Sequence, residues 1–582
     1  MPRVDEVFQK SSIPGKRKLD PIRDPNEVYR AAKRTSSETN HHARVDEDKP
    51  TDIAGPALPG DEADYGPEPP PEDDEEGGRF FGGGISKHES EIFDFVDRAD
   101  EGDAAETIDS SWLRKTAVNF ERRINKNAEL RAKFENDPQK FIASEAELDG
   151  AIKSLSVLAE NPHLYEEFVN LGCAESLVGL LAHDNTDIAI DAIEIIGELT
   201  DDDVVVDEHQ WNILVKSFIN SDLVGLLVSN LTRLDENDDS DRVGVYHSLG
   251  ILENLQSQIS RESHAGWNET LLTWLLGRIQ KPEASTSQNK QYAAEMVALL
   301  SRSSADARAK LTSLGAIDSL LQLTAAYRRR DPEKGGDEEE YAEDLFEALA
   351  YLVEEPEAKL KFVAAEGIEL CLLMQKEGKM SKAPSLRLIE YATAGISAVS
   401  VCQRIVTAGG LKTLFSQFMK SKNNRSLSQL IKVFASMLQL LPADEPERIR
   451  LLAKFVEKDY EKVIKTVQLR EYYTHQVKLA EQDNELERQA ASPEKREELG
   501  LVWFGRRLDA GLSTLQVIDT ILAWLIAEDG GARRTIKQLL GRRDESFVDI
   551  KATLREQINN LDDGQEDGKH MSDMLGTLIE FL

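Results

Sequence analysis

From about residue 89 onward, apolar residues recur with the spacing of amphipathic α-helices. Between residues 110 and 134, an apolar residue stands at positions i, i+4, i+7 and i+11: Leu113, Ala117, Phe120 and Ile124. One helix face carries all four, because 3.6 residues make one turn. The pattern therefore predicts a long helix whose single apolar stripe packs against a neighbour.

A helical unit then repeats along the chain. Residues 168–200 read as the end of a helix, a glycine, a helix, a polar turn and a longer helix. The glycine allows the left-handed backbone that a sharp turn requires. The unit, or its first half, recurs at 217–231, 264–279, 311–327, 362–375 and 405–419. The matching glycines are Gly172, Gly315, Gly367 and Gly410.

Helical repeats of about 40–47 residues are typical of armadillo and HEAT proteins. We therefore expect an all-α fold, a right-handed armadillo/HEAT-like helical solenoid with helical caps at both ends and a disordered N-terminal tail. The expected divisions are a tail at 1–88, an N-terminal cap at 89–160, armadillo-like repeats at 161–440 and a C-terminal helical region at 441–582. Long helices at 448–482 allow a coiled coil, and charged residues 483–499 predict a loop.

Composition and charge narrow the range of partners. The formal net charge of −36 disfavours direct contact with nucleic acid or an anionic membrane and favours a basic partner. Three widely spaced cysteines fit a reducing compartment, and no stretch of about 18 apolar residues predicts a membrane helix. We expect a soluble intracellular protein that binds neither nucleic acid nor membrane directly. The sequence allows a homodimer without requiring one.

Motifs for catalysis are missing from the sequence. There is no H-E-x-x-H, no G-x-S-x-G, no phosphate-binding loop and no C-x-x-C metal spacing. Cys173 and Cys371 stand in apolar surroundings typical of core thiols, and His183 stands in a turn between helices. We therefore expect no enzyme activity, no cofactor and no metal.

Residues 1–88 are rich in Pro, Gly, Asp and Glu, a composition that favours disorder. Within them, two short basic clusters stand 12 residues apart, a spacing typical of a bipartite nuclear import signal. The residues of this predicted signal are Lys16, Arg17, Lys18, Arg30, Lys33 and Arg34. An importin-type receptor would bind them, so we expect the protein to be nuclear.

Residues 187–203, DIAIDAIEIIGELTDDD, combine a buried-looking helix with seven acidic residues and no basic one. At 100° per residue, four carboxylates and Asp201 fall in one stripe, within about 40° of Asp187 on either side. The four are Asp187, Asp191, Glu194 and Glu198. A solvated helix face is the simple interpretation, but such faces usually carry both signs of charge. A carboxylate stripe that lines a groove is the alternative.

The third helix of an armadillo repeat lines the concave groove, where the familiar run A-L-W-A-L-G-N-L presents Trp and Asn. In this register AIEIIGEL (192–199) presents Glu194 and Glu198 instead. The further groove positions are Asn254 in 248–255, Glu295 in 293–300, and Glu347 and Tyr351 in 345–352. Carboxylates favour Lys- and Arg-rich peptides through charge-assisted hydrogen bonds. The sequence therefore predicts an acidic peptide-binding groove.

Several longer stretches resemble the beta-catenin-like protein 1 family: 119–148, 180–201, 417–421 and 506–516. The resemblance covers about residues 90–582 and implies a nuclear armadillo protein of the spliceosome, without catalytic activity. It further implies association with the Prp19 and Cdc5-like splicing complex, and recognition of basic, import-signal-like segments of splicing proteins. Two alternatives stay open at this point, namely a nuclear transport adaptor for basic cargo and a cytoplasmic structural scaffold.

Overall fold

The structure is a computed structural model, which describes residues 108–201, 204, 207–262, 268–490, 492–561 and 566–582. The predicted tail at 1–88, which contains the six residues of the predicted import signal, lies outside the described residues, as do residues 89–107. Every regular element in the described part is a helix, and no strand occurs there. The all-α prediction is confirmed.

Two helices precede the repeating units, α1 (Ser110–Lys133) and α2 (Ile142–Lys153). Asp109 caps α1 by accepting hydrogen bonds from the backbone N–H groups of Ser111 and Trp112. The predicted apolar stripe on α1 is buried at Leu113, Ala117 and Phe120. A short 3₁₀ segment, Ser154–Glu160, leads from α2 to the first unit.

Six units follow, five with three helices and one with two, and the last helix of each unit is called its third helix. The first three are α3 (Tyr165–Asn170), α4 (Cys173–Gly179) and α5 (Thr186–Leu199); α6 (Glu208–Asn220), α7 (Leu223–Arg233) and α8 (Asp239–Glu262); and α9 (Glu269–Gln280) with α10 (Gln288–Ser303). The fourth has α11 (Ala305–Ser313), α12 (Ala316–Ala325) and α13 (Asp337–Leu352). The last two have α14 (Pro356–Ala364), α15 (Gly367–Glu377) and α16 (Lys382–Ala392); and α17 (Val399–Thr407), α18 (Gly410–Lys420) and α19 (Asn424–Leu440).

The third helices form a continuous ladder. Helix α5 packs on α8, α8 on α10, α10 on α13, α13 on α16 and α16 on α19. Helix α2 packs on α5 at one end of this ladder. Hydrogen bonds between units support the stacking: the Tyr341 hydroxyl donates to the carbonyl of Ile279 across 2.8 Å. The six predicted units therefore build one solenoid.

The sharp turn between first and second helices requires a left-handed residue, and glycine supplies it at Gly172 (φ 78°) and Gly315 (φ 84°) as predicted. The prediction is wrong for Gly367 and Gly410, because the left-handed residues there are Glu366 (φ 58°) and Gly409 (φ 73°).

Gly367 has a different role, which is to make room for a neighbour. A Cβ atom at this position would lie 2.3 Å from the Phe362 ring. The matching glycine of this unit is therefore required by close packing, while the unfavourable backbone angle falls on its neighbour Glu366.

The C-terminal region continues with α20 (Pro446–Ala490), α21 (Pro493–Asp509), α22 (Leu512–Glu528), α23 (Gly530–Gly541), α24 (Phe547–Asn559) and α25 (Glu566–Phe581). The loop predicted at 483–499 is wrong, since α20 runs to Ala490 and α21 begins at Pro493. Glu, Leu, Arg, Gln and Ala dominate this stretch, and all are good helix formers even where they stay exposed.

Helix α20 is broken near its start. Glu457 is extended, and the next three residues, Lys458, Asp459 and Tyr460, all have left-handed backbones with φ between 55° and 64°. Helix α22 packs against both α19 and α20 and so takes the place next to the last third helix. The break therefore divides α20 into two helical segments.

Within the described residues, no single helix has the length and apolar content needed to cross a membrane. Two bent helix pairs, Glu208–Asn220 with Leu223–Arg233 and Leu499–Asp509 with Leu512–Glu528, reach that length and composition only together.

Candidate functional site: a ladder of charged residues on the third helices

The first step of the ladder is α5, and its carboxylates lie where the helical periodicity places them. Asn185 caps the helix by accepting from the Asp187 N–H across 3.0 Å. Ile188, Ile195 and Ile196 are buried. Asp187 is exposed, whereas Asp191, Glu194 and Glu198 are half-buried on the remaining face. Asp201 lies beyond the helix, which ends at Leu199.

Asp191 is not without a basic partner, as the sequence of α5 alone suggested. Lys153 of α2 places its Nζ 3.3 Å from Asp191 and also pairs with Asp149, one turn earlier on α2. Burial, together with the hydrogen bond between the two carboxyl groups, raises the pKa of Asp191 to about 7. This end of the ladder therefore carries less negative charge near neutral pH than the sequence indicates.

Glu194 and Glu198 carry the acidic character of the first step. Burial raises the pKa of Glu198, a hydrogen bond from Ser156 opposes the rise, and the charge of Glu194 adds to it. One carboxylate oxygen of Glu198 is buried without a hydrogen-bond partner among the described residues. The charge of Glu194 also acts on His247 of α8. Burial lowers the pKa of His247, and the negative charge of Glu194 opposes this effect.

The second and third steps combine polar and aromatic side chains. Gly250 leaves space beside Tyr292, since a Cβ atom there would lie 3.4 Å from the tyrosine hydroxyl. That hydroxyl donates to Glu253 across 2.5 Å, and the Tyr292 ring lies 5.3 Å from that of Tyr246. Asn254 is half-buried on the same helix.

Glu295 belongs to an amide and carboxylate network between α10 and α13. Its carboxylate accepts from the Gln291 side-chain amide across 3.2 Å. The same amide donates to Asp344 of α13 across 3.0 Å. Glu295 therefore has a polar partner on its own helix and a link to the next step.

The fourth step, on α13, brings Glu347 and Tyr351 together with residues of its neighbours. Arg302 of α10 approaches Glu347 to 3.8 Å, and both side chains are partly exposed. The ring of Tyr351 meets that of Tyr391 edge to face, with centroids 6.0 Å apart. Tyr391 is the matching residue of α16, so the contact joins the same position of consecutive units.

The ladder then changes sign. The run SLRLIEYA (385–392) of α16 aligns with AIEIIGEL and presents Arg387 and Tyr391 where α5 presents Glu194 and Glu198. The next step, LIKVFASM (430–437) of α19, presents Lys432. The first groove position therefore runs Glu194, Gly250, Glu295, Glu347, Arg387 and Lys432.

Arg387, Tyr391 and Lys432 are not among the predicted residues, although the same register locates them. The predicted fifth and sixth units extend only over their first halves, where the glycine marks the unit. The register does not locate Lys153, because this residue belongs to another helix. Only the packing of α2 on α5 brings Lys153 and Asp191 together.

The described cysteines are part of the core. Cys173, Cys371 and Cys402 are buried and unpaired by disulfides. Burial raises the pKa of the Cys173 and Cys402 thiols to about 12 and raises that of Cys371 as well. Thiols held neutral in this way are poor nucleophiles.

A solenoid of helical units, five of the six with three helices, whose third helices stack into a ladder defines an armadillo-repeat protein, a class that typically acts as a protein-binding scaffold. The chain belongs to the catenin-beta-like family. The family model described as "catenin-beta-like, Arm-motif containing nuclear" matches residues 90–555.

Named relatives agree with this assignment. The beta-catenin-like protein 1 homolog of Schizosaccharomyces pombe is 38% identical over 481 residues, covering 82% of this chain and 84% of the relative. Human beta-catenin-like protein 1 is 33% identical over 474 residues, covering 79% and 83%. A chain from a structure of the cadherin and beta-catenin interaction is 13% identical, covers 81% of this chain and 94% of its own length, and has a TM-score of 0.45. That score is too low to carry the fold assignment, which rests on the repeats and the family.

Proposed function

We propose that this protein is a non-catalytic nuclear adaptor of the spliceosome, whose groove binds basic, import-signal-like segments of splicing proteins. The resemblance stated above supports the association with the Prp19 and Cdc5-like complex. The ladder supports the groove as the binding surface, because carboxylates stand at three of its first four steps. A transport adaptor is less well supported, since the first groove position carries no tryptophan in any of the six units.

The observation that carries the proposal is the state of Glu198. Its side chain is half-buried, beside Glu194, and one of its oxygens has no hydrogen-bond partner among the described residues. A buried polar atom without a partner is costly. A Lys or Arg of a bound peptide would supply the opposite charge beside Glu194 and Glu198.

The test is binding of a fluorescent, Lys/Arg-rich peptide to the full chain, measured by fluorescence anisotropy at low salt. Glu194→Lys with Glu198→Lys should weaken binding by at least about tenfold, because charge-assisted hydrogen bonds contribute roughly 1.5–3 kcal/mol each. Raising the salt concentration should weaken binding to the unaltered protein.

Glu175→Lys is the matched control. Glu175 is an exposed residue of α4, a second helix, and its reversal changes the net charge equally per site without touching the ladder. It should bind nearly as well as the unaltered protein. Equal affinity of the groove variant and the control, with helicity by circular dichroism intact in both, would show that the ladder is not the binding surface.

A further inference from the structure

Arg387 lies beside two aromatic rings, at the position of α16 that matches Glu194 of α5. Its guanidinium carbon lies 5.8 Å from the Tyr351 ring centroid and 5.3 Å from that of Tyr391. One guanidinium nitrogen is 3.5 Å from the Tyr351 hydroxyl. Among the residues that the structure describes, no carboxylate lies within ion-pairing distance of this guanidinium, although Glu347 of the preceding step acts on it through its charge.

Lys432, at the next step, has the same sign. Its Nζ lies 2.9 Å from Glu390, a largely buried carboxylate of α16, and 38% of the lysine side chain remains exposed. The fifth and sixth steps therefore place two cations after a series of carboxylates. Because Lys432 already has a partner, Arg387 offers the stronger site for an incoming group.

The chemistry of Arg387 points to a carboxylate ligand. A guanidinium presents several N–H donors in one plane, matches a carboxylate with two parallel hydrogen bonds and stacks well on aromatic rings. The two tyrosines hold the side chain in place before binding, which reduces the conformational entropy lost on association.

We propose that the groove recognises a peptide of mixed charge, in which a basic stretch occupies the first four steps and an acidic residue binds Arg387. This inference rests on the proposed function and names the peptide class more narrowly: a basic cluster with a carboxylate flank, in place of a purely basic segment.

The ladder also sets the spacing between the two charges. Packed helices lie about 8–10 Å apart, and an extended chain rises about 3.3 Å per residue, so each unit spans roughly three peptide residues. The carboxylate should therefore lie about three positions along the peptide from the residue at Glu347, and roughly ten to twelve from the residue at Glu194.

The net charge of −36 opposes the binding of any acidic residue, so the proposal makes a prediction contrary to the overall charge. A strongly acidic protein repels added carboxylates in general. An acidic flank should therefore weaken binding unless a local cation receives it.

The experiment compares two synthetic peptides that share a Lys/Arg cluster and differ only in the flank, Glu-Glu against Gln-Gln, placed about three residues beyond the cluster. Isothermal titration against the full chain should show the Glu-Glu peptide binding about fivefold more tightly, as one partly exposed pair gives at most about 1 kcal/mol. Arg387→Gln should remove this gain and leave the Gln-Gln peptide unaffected, while Arg387→Lys should keep part of it.

Charge reversal tests the same contact without relying on loss of binding. Arg387→Glu should bind the Glu-Glu peptide less well than the Gln-Gln peptide, and a Lys-Lys flank should restore tight binding. Lys412→Glu is the matched control, because Lys412 is an exposed cation of α18, a second helix outside the ladder. It should retain the preference for Glu-Glu.

The two proposals fail in different ways. Equal binding of the two peptides, or a gain that survives Arg387→Gln, overturns the mixed-charge inference and leaves the basic groove in place. Failure of both peptides to bind the unaltered protein overturns the proposed function and the inference with it.

Discussion

At the scale of single residues, neighbours on other helices decide how much charge each ladder position carries. Asp191 illustrates this: its own helix offers no cation, but α2 supplies both Lys153 and a second carboxyl group, Asp149. Burial and the hydrogen bond that protonated Asp191 donates to Asp149 raise the pKa of Asp191 to about 7. The number of acidic residues in the sequence therefore overstates the negative charge at this point of the ladder.

The raised pKa predicts a pH dependence with a definite sign. Since Asp191 binds its proton more tightly in the folded state, its contribution to stability is complete below pH about 4 and is lost as the pH rises through about 7. Asp191→Asn cannot ionise and should gain stability relative to the unaltered protein between pH 5 and pH 8. Allowing for partial solvent screening, we expect the gain to be about 1–2 kcal/mol.

Urea unfolding at pH 5 and pH 8 measures this difference. Asp187→Asn, at an exposed position of the same helix face, is the control and should show no comparable change between the two pH values. If the stability difference for Asp191→Asn is the same at both pH values, Asp191 does not retain its proton in the folded protein.

At the scale of elements, the helices and their repeat follow from the sequence, because buried Leu, Ile and Val recur with helical spacing in every unit. The acidic half of the ladder followed from the same periodicity applied to α5. The pairing of Lys153 with Asp191 and the space that Phe362 takes at Gly367 depend on packing between helices, which no single segment encodes. The helical stretch at 483–499 was not predicted because its sequence shows no apolar stripe.

The break in α20 is the element with the most unusual backbone. Three successive residues other than glycine, Lys458 to Tyr460, hold left-handed angles, each of which costs an L-residue roughly 1–2 kcal/mol. Asp459 is exposed, so replacing it by glycine removes strain without removing a buried contact. Asp459→Gly should therefore stabilise the protein by up to about 1 kcal/mol, since glycine also loses more entropy on folding.

A glycine in the regular part of the same helix should have the opposite effect. Arg450 is exposed and helical, so Arg450→Gly should destabilise the protein by about 1 kcal/mol. Chemical denaturation of both variants measures whether each substitution raises or lowers the free energy of unfolding. Equal destabilisation by both glycines would mean that residues 457–460 form ordinary helix in solution.

At the scale of the whole molecule, contacts between units run mainly to the next unit along the chain. Stability in such a solenoid is close to a sum of unit and interface contributions. Substitutions at Glu194 and Arg387, four steps apart, should therefore leave each other's surroundings unchanged. A scaffold with this property can bind different groups at its two ends.

The proposed role in the spliceosome leads to a prediction for the full chain. Affinity capture from nuclear extract should recover Prp19-type and Cdc5-like proteins, and the Glu194→Lys and Glu198→Lys variant should recover them less well, as its groove repels basic segments. Glu175→Lys should behave as the unaltered protein. Mass spectrometry of the captured proteins measures the outcome, and equal recovery by both variants would place the binding surface elsewhere on the chain.

For the proposed mixed-charge peptide, the change of sign along the ladder also sets how binding depends on ionic strength. The Debye length is about 8 Å at physiological salt, close to the 8–10 Å between packed helices. Under those conditions a charge on a peptide interacts chiefly with the nearest step of the ladder. The affinity therefore depends on which charge of the peptide lies at each step. At low salt the fields of all steps overlap and the net negative charge dominates. Added salt should therefore lower affinity while it sharpens discrimination between peptides of equal composition and different charge order.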